Sequence, residues 1–559
     1  MMKHALWRTY LGSFLVAVFC VTTSAQSFGS EAVSLEDMER ELNALRASVS
    51  ALTDQIETVR QEKTVTASAS DTKEDVESLK NEVNSLKEEM RVAAQADSAL
   101  KAEDITGNVY SEFAKKVKLG GQIRTRAEYA NGYYQVPTNN GTLPGAARPP
   151  DQSKAGHASS SVDDDYVLQQ TRLWADADVN EHLRVFIQLQ DARTFGAAGT
   201  TVGYANANTE NSITDLHQGY FDIRKLFDMP LTARVGRQEI VWGDHRVIGN
   251  FVWSNVGRVF DAGRFMWDTD DIHAEVFAAK VDEDGFFGVD GSNNSDETAY
   301  AAQLAFKKLV PGALLELMYI QKNDQDASAG NSTLAATGYA GADNRPGIEI
   351  HDIGARIDGK IPNLEAIDYT FESHGQFGDY GDMSQRAWAF AGRAGYTFKD
   401  LAWKPRFGFE YDYASGDDDP TDSSHETFDN LYPTNHLQGN YGFVDLVSWQ
   451  NMHDFRGNIK IVPTNKLTCQ VDYHYFLLAE AEDGWYLANG SLATSRPLGG
   501  YETGSSNLAQ EIDLTVSYQL YKNVGVLAGY SWFGAQSWIN SNVESMDTNW
   551  GYIQTTVTF

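Results

Sequence analysis

The sequence is poor in cysteine and has almost no long apolar runs. The chain of 559 residues has two cysteines, Cys20 and Cys469. If the first 25 residues are removed, Cys469 alone remains, which excludes an intramolecular disulfide. Beyond those residues no stretch approaches the roughly 20 apolar residues that a membrane-spanning helix requires. Any residence in a membrane must therefore use strands.

Basic residues are in the minority, with 45 Lys and Arg against 77 Asp and Glu and a formal net charge of -32. Binding to nucleic acid requires a basic face. The composition therefore argues against nucleic acid as a partner.

Recognisable enzyme motifs are also missing. The sequence contains no HExxH, Walker loop, Cys–His cluster or GxSxG, and its 12 His are scattered singly. Outer-membrane lipases and proteases need a Ser–His or Asp–His pair in such a motif. "YDYASGDDDPTD" has the look of a calcium loop but lacks the central Gly spacing and final Glu of an EF-hand, so a solvated outer loop is the better interpretation. We expect no enzyme activity, no metal and no cofactor.

Residues 1–25 have the pattern of a secretory signal peptide. Lys3 and Arg8 supply a positive start, "LGSFLVAVFCV" supplies a short apolar core, and "TSA" precedes a cleavage point before Gln26. The apolar run is too short for a membrane anchor. Phe19 stands where a lipoprotein signal ending at Cys20 would have a small residue. The sequence predicts an exported protein.

A heptad pattern follows the signal. Apolar residues alternate in spacings of three and four along Leu35, Met38, Leu42, Leu45, Val49, Leu52, Ile56 and Val59, and again along Val76, Leu79, Val83, Leu86 and Met90. A stripe this narrow favours a coiled coil over one amphipathic helix lying on a domain. We expect residues 26–104 to form a periplasmic coiled-coil segment. Residues 34–93 would bind further copies of the chain or a periplasmic partner.

From about Lys116 the apolar period changes from 3.5 to 2. In "GGQIRTRAEYA" the residues Gln122, Arg124, Arg126 and Glu128 lie on one face and Ile123, Thr125, Ala127 and Tyr129 on the other. "LRVFIQLQD", "IHDIGARIDG", "LEAIDYTFESHG" and "PRFGFEYDY" repeat this alternation. Many Tyr (26), Phe (27) and Gly (47) with little Pro (13) are typical of a β protein rich in turns.

Three features favour a membrane barrel over a soluble sandwich. Apolar faces end in aromatic residues, the opposite faces are ionic, and tight connections such as "VNEH" and "PTNK" alternate with long polar ones such as 132–164 and 480–506. We expect residues 105–559 to form an all-β, transmembrane antiparallel β-barrel of about 18 strands, with an aqueous lumen. Its partners would include outer-membrane lipid.

The last residues, "NWGYIQTTVTF", alternate like a strand. A strand edge in lipid would leave backbone groups unpaired, so this strand must pair with the first one and close the barrel. Ile553, Val557 and Phe559 would then face lipid. A terminal aromatic such as Phe559 also resembles the signal that the barrel assembly machinery reads in many porins.

The stretch "RVGRQEIVWGDHRVIGNFVWSNVGRVFDAGRF", residues 234–265, stands out because its loop carries Trp242, Asp244, Arg246, Trp253 and Asn255. Trp offers a flat apolar face to a pyranose ring, and Arg and Asn offer directed hydrogen bonds. The alternative is that both Trp residues pack the loop against the barrel wall.

This stretch resembles the signature of the alginate-export porin family, "GRQ…GD.R..G…W.N..R.FD..R". A second block, "YDYASGDDDP…TFDNLYPTNH…GFVDLVSWQN", resembles a later segment of the same family, and the likeness spans 116–559. The resemblance implies a monomeric barrel of eighteen strands that passes an anionic polysaccharide through an arginine-lined pore. The matching residues are Gly236, Arg237, Gln238, Gly243, Asp244, Arg246, Gly249, Trp253, Asn255, Arg258, Phe260, Asp261 and Arg264.

We therefore predict an outer-membrane porin that passes hydrated solutes passively, with its N-terminal segment in the periplasm. Because carboxylates accompany the arginines, neutral saccharides or small nutrients are alternatives to an anionic polysaccharide. A third hypothesis is a plugged barrel that anchors the coiled coil as an envelope tether. The residues predicted to line the pore or contact solute are Arg124, Arg126, Arg172, Arg237, Arg258, Arg264, Arg356, Arg393, Arg406, Glu410 and Asp412.

Overall fold

The computed structural model describes most of the predicted barrel. It covers residues 115–133, 162–196, 214–281, 297–324, 347–434, 439–488, 490, 492–493, 500–543 and 547–559. The predicted signal peptide (1–25) and coiled-coil segment (26–104) lie outside the described residues.

Nearly all regular structure in the described residues is antiparallel sheet. The strands are β1 Val117–Tyr133, β2 Val162–Asp178, β3 Leu183–Phe195, β4 Asp215–Ile223, β5 Leu231–Gln238, β6 Phe260–Asp268, β7 Ile272–Val281, β8 Thr298–Val310, β9 Ala313–Asp324, β10 Ile348–Ile361, β11 Leu364–Tyr380, β12 Met383–Thr397, β13 Arg406–Ala414, β14 Ser424–His425, β15 Met452–Thr464, β16 Leu467–Leu478, β17 Asn507–Tyr521, β18 Val524–Ala535 and β19 Asp547–Thr558.

The sheet closes on itself. Each strand of the wall pairs with its neighbours in sequence, and β1 pairs with both β2 and β19. The two-residue strand β14 pairs in parallel with β12 and belongs to a loop, so eighteen strands form the wall. At the seam, Gly121 N–H donates to Phe559 O at 2.9 Å, and Phe559 N–H donates to Gly121 O at 3.0 Å. The predicted closure of the last strand on the first is confirmed.

The period-2 pattern separates the two faces of the wall. In β1 the side chains of Arg124, Arg126 and Glu128 are buried inside, whereas Ile123 and Tyr129 are exposed outside. Facing lipid near the bilayer centre would cost an arginine roughly 2–4 kcal/mol. Apolar residues therefore take the outer face, and polar residues take the inner one.

The connections differ between the two ends of the barrel. At one end, called here the short-turn end, neighbouring strands are joined by tight links such as 311–312, 362–363, 465–466 and 522–523. At the other end, the long-loop end, the connections include 239–259 (loop A), 415–451 (loop B) and 479–506 (loop C). Of these loops, 435–438, 489, 491 and 494–499 are not among the described residues.

A short helix, α1 (Ser537–Asn542), follows β18 and buries Trp538 and Ile539. Its length of 6 residues is typical of a loop helix. No helix in the described ranges is long and apolar enough to cross a membrane.

The core lies inside the barrel, towards the long-loop end. Trp449 of loop B and Trp485 of loop C are fully buried, in one hydrophobic cluster with Phe476 and Phe533 of the wall. Loop B turns at Gly442, whose φ is +81° and whose backbone passes close to the Glu511 carboxylate. Phe443 and Val444 donate their N–H groups to Glu511 Oε1 at 2.7 and 2.9 Å. A wall carboxylate thus holds the backbone of the inserted loop.

Candidate functional site

Loop A crosses the lumen. Its residues contact β1 and β2 on one side of the barrel and β10, β12 and β13 on the other. In an eighteen-stranded wall β1 and β10 are diametrically opposed. A loop that reaches both sides lies across the channel, which makes it the central element of the site.

Arginines of β1 bind the backbone of loop A. Arg124 donates to Val252 O at 2.7 Å and to Ser254 O at 2.6 Å, and Arg126 donates to Trp253 O at 3.0 Å. Both guanidinium groups are buried. These predicted pore-lining residues therefore bind loop A and do not line an open channel surface.

Trp253 packs into the wall beside them. Its ring lies 4.2 Å from the Arg126 guanidinium carbon and makes edge contacts with Phe443, Trp550 and Tyr552, at ring-centroid distances of 6.1, 6.0 and 5.1 Å. Both of its neighbours on β19 are buried. Of the two interpretations of this residue, packing of the loop against the wall agrees with the structure.

The second tryptophan is enclosed too. Trp242 is buried, donates its indole N–H to Glu275 and meets Phe277 edge-on at 5.6 Å. Glu275 also accepts from Arg264, a predicted pore-lining residue on the inner face of β6. Trp242 therefore packs on the wall like Trp253.

Arg172 of β2 meets the first residue of loop A. It lies 3.1 Å from Glu239, which also accepts from His217 at 2.8 Å and from Asn250 at 3.0 Å. Burial alone would raise the pKa of Glu239, but His217, Arg172 and Asn250 favour the carboxylate and lower that pKa to about 2. Glu239 is therefore a charged anchor for the start of the loop at neutral pH.

Arg246 anchors the middle of loop A to the opposite wall. Its guanidinium is buried, lies 3.0 Å from Asp412 and also binds Glu410 and Tyr441. Burial lowers the pKa of Arg246, yet the charges of Asp412, Tyr441 and Glu410 raise it above its ordinary value. Glu410 also binds Arg456 at 2.8 Å, so the predicted pair Glu410 and Asp412 belongs to an internal ion network.

Asp244 lies between two wall arginines. Its oxygens lie 2.7 Å from Arg356 of β10 and 2.8 Å from Arg393 of β12. Arg356 also lies 2.5 Å from Glu316 of β9. The structure thus brings the loop motif and two predicted pore-lining arginines into one group.

Loops A and B are joined by a short backbone ladder. Tyr432 N–H donates to Val247 O at 2.9 Å, and Gly249 N–H donates to Tyr432 O at 2.7 Å. Arg258 reinforces the contact by donating to Pro433 O at 2.8 Å. The loops form one body inside the lumen.

Asn255 fixes the end of loop A to β2 and β3. It donates to Gln169 O and Arg193 O at 3.2 Å, and its own carbonyl accepts from Gln170 at 2.6 Å. Arg406 lies apart from loop A and binds Asp368 at 2.6 Å and Asn458 at 2.9 Å on the inner face.

The inward direction predicted for Arg237 is wrong. Arg237 shares its face with Val235, which is exposed on the outside of the wall, and it binds Asp261 at 2.7 Å there. The prediction followed the motif and overlooked the alternation in "RVGRQ", which places Arg234 inside and Arg237 outside.

Alternation could also have identified inner residues that the prediction missed. Arg234 lies inside and binds Asp222 at 2.6 Å, and Asp222 also binds Arg184 at 3.2 Å. Arg456 binds Asp472 at 2.5 Å. Most inner arginines therefore have a carboxylate partner from the wall or a loop.

Loop C contributes a buried acid to this inner body. Asp483 accepts from Thr427 at 2.7 Å and from Tyr486 at 2.8 Å. Burial raises the pKa of Asp483 to about 7, even though these hydrogen bonds and one from Asp417 N–H act to lower it. In the described part of the chain, no three metal-type side chains converge as a metal site would require.

Solved structures of other proteins have a fold similar to that of this chain. The solved structure of Pseudomonas aeruginosa OpdO has a TM-score of 0.50 and 10% identity, over 80% of this chain and 99% of its own. P. aeruginosa OccK11 (OpdR) has a TM-score of 0.48 and 10% identity, over 80% of this chain and 97% of its own. Acinetobacter baumannii OccAB4 has a TM-score of 0.48 and 11% identity, over 79% of this chain and 98% of its own. At these identities the likeness concerns the barrel fold alone.

No protein with a curated description matches the sequence. A family model described as alginate export, however, matches residues 151–550. That range covers β2 to β18, the first residues of β19, and loops A, B and C. With the closed barrel, it indicates an outer-membrane channel protein of the porin type. The chain belongs to the alginate export family.

Proposed function

We propose that the protein is a passive channel for an anionic polysaccharide or a related acidic saccharide. The observation that carries this proposal is the convergence of wall arginines on loop A. Arg124, Arg126 and Arg172 reach it from one side, and Arg356 and Arg393 reach it from the other. An arginine fork matches the geometry of a carboxylate and can bind it through two hydrogen bonds.

The path would run from the short-turn end, in the periplasm, past loop A to the long-loop end outside the cell. Inner side chains near the short-turn end are less enclosed than those around loop A, as Asp358 and Arg406 illustrate. A solute entering there meets Arg406 and Arg393 before it meets the loop. The carboxylate paired with each arginine would keep that arginine in place while the solute moves from one arginine to the next.

A second candidate function is a general porin for small nutrients. The charge balance of the inner wall favours it, because pairs such as Arg184–Asp176, Arg234–Asp222 and Arg406–Asp368 leave little net positive charge. Such a wall would pass neutral and zwitterionic solutes with little selection.

Single-channel conductance of the refolded protein in a planar bilayer tests these candidates. We expect a polyuronate to block the current and a neutral dextran of equal length to leave it unchanged. The block should weaken in R393Q and R406Q. R237Q is the matched control, since Arg237 lies on the outer face, and its block should equal that of the wild type.

Conductance without selective block would favour the small-nutrient porin. The absence of conductance would contradict both channel functions and favour a plugged barrel that serves as an anchor.

A further inference from the structure

Asp244 occupies a carboxylate-binding site built into the barrel wall. One of its oxygens lies 2.7 Å from Arg356 Nη2, and the other lies 2.8 Å from Arg393 Nη2. The two arginines come from β10 and β12, and the carboxylate comes from loop A. A loop residue therefore fills a position that a carboxylate of a solute could fill.

The backbone beside Asp244 is shaped for this contact. Gly243 has a φ of +49°, and a Cβ atom at that position would lie 2.8 Å from Arg356 Cδ. A side chain there would collide with the arginine and would also strain the backbone. The close approach of the loop to Arg356 depends on glycine.

The site can hold one such carboxylate at a time. Besides Asp244, Arg356 has Glu316 at 2.5 Å, Asp358 at 3.4 Å and Glu372 at 3.6 Å. A further carboxylate added to this group would lack a cation, and uncompensated charge is costly away from water. An incoming carboxylate can therefore enter only as Asp244 leaves, an exchange that keeps the local charge unchanged.

One buried donor, Arg393 Nη1, is available to the incoming group, and a second, Arg356 Nε, faces Glu372 at 3.6 Å. Arg393 Nη1 and Arg356 Nε make no hydrogen bond within the described ranges. Access comes from the short-turn end, where the side chain of Asp358 beside both arginines is 44% exposed and that of Arg393 is 15% exposed. A carboxylate arriving from this end would meet Arg393 first.

Release of Asp244 would weaken the hold of the wall on loop A. Asp244 is two residues from Arg246, the anchor to Glu410 and Asp412, so the exchange occurs in the middle of the segment that crosses the lumen. We infer that Asp244 is an internal competitor, and that a uronate carboxylate displaces it from Arg356 and Arg393 and so loosens loop A. The inference rests on the proposed passage of acidic saccharides.

Hydrogen–deuterium exchange of loop A in the refolded full-length protein tests this directly. We expect glucuronate to raise the exchange rate of residues 241–256 roughly tenfold, a factor typical of coupled sites, and glucose to leave it unchanged. In D244N the rate should already be high without ligand and should not respond further. D244E keeps the carboxylate and should respond to glucuronate.

D261N is the matched control, because Asp261 pairs with Arg237 on the outer face. It should respond to glucuronate like the wild type. Equal loop exchange in D244N and the wild type, or an equal glucuronate response in both, would overturn the inference. So would a response to glucose as large as that to glucuronate.

Conductance separates this inference from the proposed function. If polyuronate blocks the wild type and D244N identically and loop exchange is also identical, the acidic channel stands and the competitor role fails. If polyuronate leaves the wild-type current unchanged, the proposed function itself fails.

Discussion

At the scale of single residues, most of the described arginines inside the barrel are stabilised by specific partners, so removing one of them should have a measurable effect on stability. Arg246 is 2% exposed and has two carboxylates and a tyrosine hydroxyl around it. By contrast, Arg237 lies on the outer face, where it binds Asp261. Loss of the arginine should therefore reduce the stability of the folded protein more at position 246 than at position 237.

Arg246→Gln should destabilise the folded loops by roughly 3–5 kcal/mol, because it leaves Asp412 buried without its cation and removes one of the two arginines bound to Glu410. Urea-induced unfolding of loop A, monitored by hydrogen exchange, measures the change in stability. R237Q should cost less than about 1 kcal/mol, as expected of an exposed pair. Similar losses in the two variants would contradict the assignment of Arg246 as an internal anchor.

Asp483 predicts a dependence of loop stability on pH. Its pKa of about 7 in the folded protein lies above that of an unfolded aspartate, so the folded state binds the proton more tightly. The stabilisation is complete below the unfolded pKa of about 3.9 and is lost as pH rises through about 7, a change of about 4 kcal/mol.

Limited proteolysis of loops B and C should therefore be slower at pH 5 than at pH 8. D483N lacks the titrating proton and should lose this difference. E239Q provides the contrast and should keep the difference between pH 5 and pH 8. The pKa of Glu239 is lowered to about 2, so its stabilisation is complete above the unfolded pKa of about 4.3 and declines only below it. An unchanged pH response in D483N would show that another group is responsible.

At the scale of elements, the wall and the inserted loops are held by different interactions. Wall strands pair through backbone ladders, whereas loop A is held to the wall by side chains such as Arg124, Arg246 and Arg356. Gln238 and Phe260, which flank loop A, pair directly with each other. A tight turn could therefore join β5 to β6.

Replacing residues 239–259 with a short Asn-Gly turn should leave the barrel closed and raise its conductance several-fold, because the segment that crosses the lumen is gone. Planar-bilayer recording measures the change, and far-ultraviolet circular dichroism checks the strand content. A barrel of unchanged conductance would mean that loop A does not limit the passage of ions.

At the scale of the whole molecule, the coiled coil remains a prediction that is separate from the observed barrel. The periodicity at 34–93 predicts association of two or three chains or binding of a periplasmic partner. The barrel, in contrast, closes within one chain through β1 and β19. Each part can therefore be tested without the other.

A variant lacking residues 26–104, with the signal peptide retained, should still insert as a closed barrel with unchanged unit conductance. Its mass in detergent, measured by light scattering, should correspond to one chain. If the full-length protein is also monomeric, the prediction of self-association fails, and a separate periplasmic partner remains. Loss of the folded barrel in the variant would contradict the independence of the two parts.

The sequence by itself determined the wall. Period-2 alternation around Arg124 and Tyr129 is a local property, since a residue and its second neighbour share a face in any strand. The same rule assigns Arg237 to the outer face. The error there came from giving a motif more weight than the alternation around Val235.

Only the tertiary structure decided what fills the lumen. Arg246 and Glu410 are 164 residues apart, and Asp244 and Arg356 are 112 apart. No local pattern encodes such pairings, because they depend on which strands closure brings opposite each other. Whether loop A turned outward or across the channel was settled by burying its tryptophans and pairing its charges with the far wall.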